Sequence, residues 1–169
     1  KIQVAFIIAP LAIVLRQQGV DIKIVYIGNR HESTLVTRKD LHIENIHDLS
    51  GRKVAVPMRF SGHNLSLLRL MEENNMEGEI NIVELNPPDM ASALTTGALD
   101  AYYVGEPFAA QTLKNGEANL LFNVEDVWPS FICNLVIVKQ SLIKQEPELV
   151  EKFVSGAIRS GIWAEKHPD

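Results

Sequence analysis

Hydrophobic and polar residues change spacing repeatedly along this chain, and the changes sort it into short strands and helices. Residues 2–9 form an apolar, strand-like run; Pro10 suits the opening of a helix, and Gly19 stands where that helix would end. Residues 21–27 alternate and then become wholly apolar, as a strand does, whereas residues 28–33 read as a polar loop. A further extended run covers 34–39, and 43–49 reads as a short helix or turn. Val54, Ala55 and Val56 make a short buried strand, after which Leu65, Leu67, Leu68, Leu70 and Met71 recur nearer helical than alternating spacing. Downstream, strands are predicted over 80–85, 99–104, 120–124 and 134–139, and helices over 90–96, 108–113 and 147–165. Strands alternating with helices predict an α/β fold with a mainly parallel sheet and ligands at the carboxyl ends of its strands.

Composition narrows the classes. The chain has 169 residues, 46% of them hydrophobic, enough for one domain or two small lobes with a real core. Residues 4–15 are apolar but contain Pro10 and stop at Arg16, too short a run to span a bilayer. A signal peptide also fits poorly, since no small-residue cleavage site follows. A formal charge of −5 disfavours a nucleic-acid binder. Cys133 is the only cysteine, so no internal disulfide forms and the redox compartment is left open. Lys1 enters directly into a strand-like run and Asp169 follows a closing helix, so a longer protein is expected around this piece.

The stretch of greatest chemical interest is 52–70. Pro57 ends the strand, and Ser61, Gly62 and Asn64 are residues that cap a helix and let backbone come close to a ligand. Unsatisfied N–H groups at a helix start, backed by the helix dipole, suit a carboxylate, sulfonate, nitrate or phosphate. The plainer reading is a turn whose serine caps its own helix. Arg59 could pair with an oxyanion or simply be solvated. His42 and His47 do not share a helical face, so zinc is not expected; Ser61 with His63 lacks an orienting acid, so a nucleophile and base are not expected. No metal or cofactor is predicted.

In order and spacing, several segments resemble the solute-binding proteins of ABC importers for nitrate, sulfonates, taurine, bicarbonate and thiamine pyrimidine precursors. They are Thr34-Leu35-Val36-Thr37-Arg38-Lys39-Asp40, Ile46-His47-Asp48-Leu49-Ser50-Gly51-Arg52-Lys53-Val54-Ala55-Val56-Pro57, Ala93-Leu94-Thr95-Thr96-Gly97-Ala98-Leu99-Asp100-Ala101, Glu106-Pro107-Phe108-Ala109 and Asn134-Leu135-Val136-Ile137-Val138. The resemblance covers nearly the whole chain. It implies the type II periplasmic-binding-protein fold: two α/β lobes joined by two hinge strands, the first lobe only partly present. Residues 1–39 would be part of lobe 1 with the first hinge strand, 40–133 lobe 2, and 134–169 the second hinge strand with a C-terminal helix returning toward lobe 1.

By the same resemblance the lobes close on a small polar or anionic solute and deliver it to a membrane permease. Ser61, Gly62, His63 and Asn64 match the family's small polar ligand loop, and Glu106 the acid at its cleft, where it would take a ligand amine, a cation or an arginine. The family often has tryptophan before that acid; here it is Gly105, with Tyr102 or Tyr103 as substitutes. Ala9, Pro10, Asn29 and His31 are the first-lobe-side candidates, and Trp128 and Ser130 could line the cleft. The implied protein is a periplasmic or otherwise extracytoplasmic monomer, with a lipid anchor as one option, and not an enzyme. The rival readings are an enzyme on the same fold, of the menaquinone-pathway dehydratase or pyrimidine-synthase type, and the ligand-sensing domain of a regulator.

Overall fold

A computed structural model describes residues 2–167. The chain forms two compact units, residues 1–29 with 134–169 and residues 30–133.

In the first unit, β1 (Val4–Ile8) leads straight into α1 (Ala9–Gln17), with Pro10 in its first turn. β2 (Ile22–Arg30) follows, and the chain returns late in the sequence through β8 (Ile132–Lys139), α6 (Gln140–Gln145) and α7 (Pro147–Lys166). The strands form a sheet in the order β1-β8-β2, with β1 antiparallel to β8. The polar stretch predicted as a loop from residue 28 is strand as far as Arg30. Gly28 explains this: a Cβ there would lie 3.3 Å from the Asn134 carbonyl oxygen, so it is a close approach within the sheet rather than a turn.

The second unit carries β3 (Ser33–Arg38), β4 (Lys53–Val56), α2 (Gly62–Glu73), β5 (Asn81–Glu84), α3 (Pro87–Thr95), β6 (Ala101–Gly105), α4 (Phe108–Lys114), β7 (Ala118–Asn123) and α5 (Val124–Val127). Its five strands lie in the order β5-β4-β6-β3-β7. β4 is parallel to β5 and β6, while β3 runs antiparallel to both β6 and β7, so the sheet is mixed rather than mainly parallel. Successive side chains point to opposite faces. Leu35, Val54, Val56 and Tyr103 therefore pack with Leu67, Leu70 and Met71 of α2, and Val36, Ala55, Tyr102 and Val104 with Met90 and Leu94 of α3 and Ala109 of α4. The run at 34–39, expected from the resemblance to cross between lobes, lies in β3 and is paired on both sides inside this sheet. The division between the compact units falls at 29–30 and at 133–134.

Candidate functional site

Topology brings three chain segments to one end of the second unit's sheet. β4 and β6 are parallel and end there, giving way to α2 and α4, and the antiparallel β3 begins there, with Ser33 opposite Gly105 and Thr34 opposite Val104. A Cβ on Gly105 would sit 3.4 Å from the Glu32 carbonyl oxygen and 3.9 Å from His63 Nε2, so the three segments meet closely.

At the start of α2, Ser61 is fully buried and its Oγ accepts a hydrogen bond from the Asn64 N–H at 3.1 Å. The Asn64 side chain donates back to the Arg59 carbonyl at 2.9 Å. These two side chains thus fix the turn itself, an N-cap that satisfies one of the helix's orphan donors. His63 is 5% exposed, and its Nε2 lies 2.9 Å from Ser33 Oγ. Its ring stands edge-on to Tyr103, centroids 5.6 Å apart, and 6.3 Å from Phe131. Burial lowers its pKa to about 4, so the imidazole is neutral at neutral pH. Its other nitrogen, Nδ1, is buried with no hydrogen-bond partner among the described residues.

Glu106 is exposed yet fixed. Oε1 accepts from Thr34 Oγ1 at 3.1 Å, Oε2 from the Ala110 N–H at 2.8 Å, and its own N–H donates to Glu32 O at 2.9 Å. A carboxylate that reaches from before α4 to the N–H groups of its first turn is stabilised by them and by the helix dipole. Among the described residues no cation forms an ion pair with it.

The remaining candidates fall in three places. Arg59 is exposed on the loop before α2. His31, Trp128 and Ser130 belong to a strapped corner, where His31 Nε2 lies 2.9 Å from Pro129 O, Arg30 donates to Ser130 O at 3.4 Å, and Trp128 stands edge-on to Phe131 under the Arg69 guanidinium. Ala9 and Pro10, at the head of α1, and Asn29, whose Oδ1 accepts from Asn134, lie in the other unit. Neither tyrosine is open to a stacking ligand: the Tyr103 hydroxyl is 3.0 Å from Ser66 Oγ and that of Tyr102 is 2.6 Å from Thr112 Oγ1, on opposite faces of the sheet. Ser33, read from the sequence as a loop residue beside Asn29 and His31, opens β3 at this end. Thr34 and Phe131 also belong here and escaped the sequence reading; a polar residue at the head of an otherwise apolar strand was the available signal for Thr34, and Phe131 had none.

Comparison with known proteins shows the family and the fold. The family described as NMT1/THI5 like matches residues 1–169. The chain is 29% identical over 154 residues to the taurine-binding periplasmic protein of Escherichia coli K12, covering 89% of this chain and 47% of that protein. It is similar in structure to a ligand-binding component of an ABC-type import system from Staphylococcus aureus, solved with zinc bound, with TM-score 0.83 and 27% identity over 95% of this chain and 56% of that one. The desulfurization enzyme DSZB shares the fold at TM-score 0.71 and 17% identity, covering 98% of this chain and 63% of that one. The chain spans about half the length of the binding proteins it matches. The mixed α/β architecture is the periplasmic-binding-protein fold, and, by a match that runs over every residue, the chain belongs to the NMT1/THI5-like family.

Proposed function

We propose that this protein is the solute-binding component of an ABC-type importer and that its solute carries an amine together with a small acidic group, as an aminosulfonate does. The two compact units act as its lobes, joined at 29–30 and 133–134. The observation that carries the solute class is Glu106, whose carboxylate is held in place by two neutral donors and has no cationic partner among the described residues, beside the start of α2. A fixed, exposed carboxylate attracts an ammonium group and repels a bare anion, whereas α2's first turn favours an oxyanion. An aminosulfonate meets both preferences, whereas nitrate and bicarbonate meet only the second. The similarity to a taurine-binding protein supports the same choice.

The partner in this reading is a membrane permease, and the working place is extracytoplasmic, as for the periplasmic relative. The protein binds as a monomer and performs no chemistry. An enzyme on the same fold is the second reading, favoured by the likeness to DSZB. Its nucleophile-and-base geometry among the described residues would be Ser33 with His63, but both are buried and no carboxylate among those residues orients His63 Nδ1. Calorimetric titration tests the proposal. Taurine should give saturable heat, simple nitrate should not, and Glu106→Gln should weaken taurine by about tenfold or more, the loss of one charge-assisted contact. A flat titration with taurine, or a Glu106→Gln variant that binds as the parent does, would refute it.

A further inference from the structure

Gly62 is the first residue of α2, and the ring of Phe131 rests on it. A Cβ built on Gly62 would lie 2.5 Å from Phe131 Cζ and 2.6 Å from Cε2, distances no real side chain tolerates. The far edge of the ring therefore occupies the space directly against the helix's first residue, and only glycine permits it. Phe131 is 3% exposed, wedged between the His63 ring and the edge of Trp128. Under it lies a first turn that is incompletely satisfied. Ser61 Oγ serves the Asn64 N–H and Ser61 O the Leu65 N–H, but the Gly62 and His63 N–H groups have no acceptor among the described residues. His63 Nδ1, on the side of the imidazole away from Ser33, is likewise buried without a partner. Buried polar groups are nearly always paired, and an apolar ring offers none of these a hydrogen bond.

We propose that Phe131 is an internal plug: its ring occupies the place over Gly62 and His63 that the acidic group of a bound solute takes, and solute binding displaces it. The inference rests on the reading of this sheet end as the solute site. Phe131 stands at a turn, its N–H donating to the Trp128 carbonyl at 2.9 Å, directly before β8, the strand that runs from the second unit into the first, so displacing the ring requires a change at this junction. A site that must first expel a side chain binds with an affinity reduced by the fraction of molecules already open. Phe131 thereby sets which solutes enter: those that gain enough from the α2 amides to displace an aromatic ring.

Leu in place of Phe131 retains the inner part of the side chain and removes the Cε and Cζ atoms that rest on Gly62. In a Trp163→Phe background Trp128 is the sole tryptophan and reports on the ring beside it. Taurine should shift Trp128 emission in the parent, and F131L should bind taurine about tenfold tighter, the gain expected where about a tenth of parent molecules are open. Equal or weaker binding by F131L overturns the plug. Gly62→Ala, with Phe131 intact, should shift Trp128 emission without solute in the direction taurine does, because the new methyl must push the ring away; an unchanged spectrum overturns it as well. Should taurine bind neither protein, the solute reading fails and sodium sulfate decides the plug. Larger sulfate-induced amide shifts at Gly62 and His63 in F131L than in the parent sustain it, and equal or absent shifts refute it.

Discussion

His63 makes the second unit's stability depend on pH in a way that can be worked from its surroundings. The side chain is buried, at 5% exposure, touches Tyr103 and Phe131, and among the described residues has one polar contact, Ser33 Oγ. Desolvation lowers its pKa from 6.5 to about 4. An unfolded chain takes up this proton near the ordinary value, whereas the folded protein resists until about 4, so between the two the unfolded state binds more protons. The stabilisation is fully present above 6.5, falls away as the pH drops toward 4, and declines no further below that. At about 1.4 kcal/mol per pH unit, the depression amounts to about 3 kcal/mol. His63→Gln retains a polar group that can reach Ser33 but cannot titrate. Urea unfolding of the Trp163→Phe protein, followed through Trp128 emission, should lose about 3 kcal/mol more between about pH 7.5 and about pH 4 than the same protein carrying His63→Gln. The other titrating groups are common to both proteins and cancel. Parallel pH profiles would refute the claim that a neutral, desolvated imidazole sits in this turn.

Three further expectations follow from packing and capping. Ser61→Ala removes the oxygen that accepts from the Asn64 N–H and should cost about 1 kcal/mol in urea unfolding; an unchanged midpoint would mean the cap contributes nothing. Tyr103→Phe strips the partner from the fully buried Ser66 Oγ, at a cost of about 1–2 kcal/mol that Ser66→Ala in the same protein should partly restore. Gly97 has φ +78° at the end of α3, with Arg38 Nη1 only 3.2 Å from where a Cβ would stand. Gly97→Ala should therefore lower stability by about 1 kcal/mol, measured as thermal midpoint, and a neutral result would show that this turn relaxes.

The elements were legible where the hydrophobic period was strong and misread where a single atom decided the matter. β4, α2 and α7 follow from spacing alone. α2 begins at Gly62 with Ser61, one of the residues read as capping, at its N-cap, whereas α3 begins at Pro87 rather than Met90 because proline fits a helix's first position. α6, only six residues long, lies below the length at which periodicity speaks. Strand direction was invisible. A buried strand is apolar whichever way it runs, so nothing in Thr34 to Arg38 announced that β3 is antiparallel to its neighbours. Glu106 could be singled out through the family resemblance, as the acid of a Glu-Pro pair where a strand ends and a helix begins. Its partner Thr34 could not, since the contact between them exists only through the register of β3 on β6. Phe131 was beyond reach for the same reason: its meaning lies in Gly62, far off in the chain, which has no side chain to signal a contact.

Two helices start at the same end of this sheet, and the protein treats their free N–H groups differently. α4 receives a carboxylate from the chain itself, with Glu106 accepting from the Ala110 N–H. α2 receives only a serine, which serves one donor and leaves those of Gly62 and His63 under an aromatic ring. Had both helices been satisfied in the same way, the end would be an ordinary pair of capped turns. Had both been left open, the site would favour anions without discrimination. One start closed by a fixed negative charge and its neighbour left short of an acceptor form a pair of opposite preferences, which a molecule carrying one charge of each sign meets at once. Reversing the first preference should therefore change the class of solute rather than abolish binding. Glu106→Lys should exclude taurine and admit an alkanesulfonate that lacks the amine, read by calorimetry with both ligands. A variant that lost both equally would show that Glu106 supports the fold of this end and does not choose what enters it.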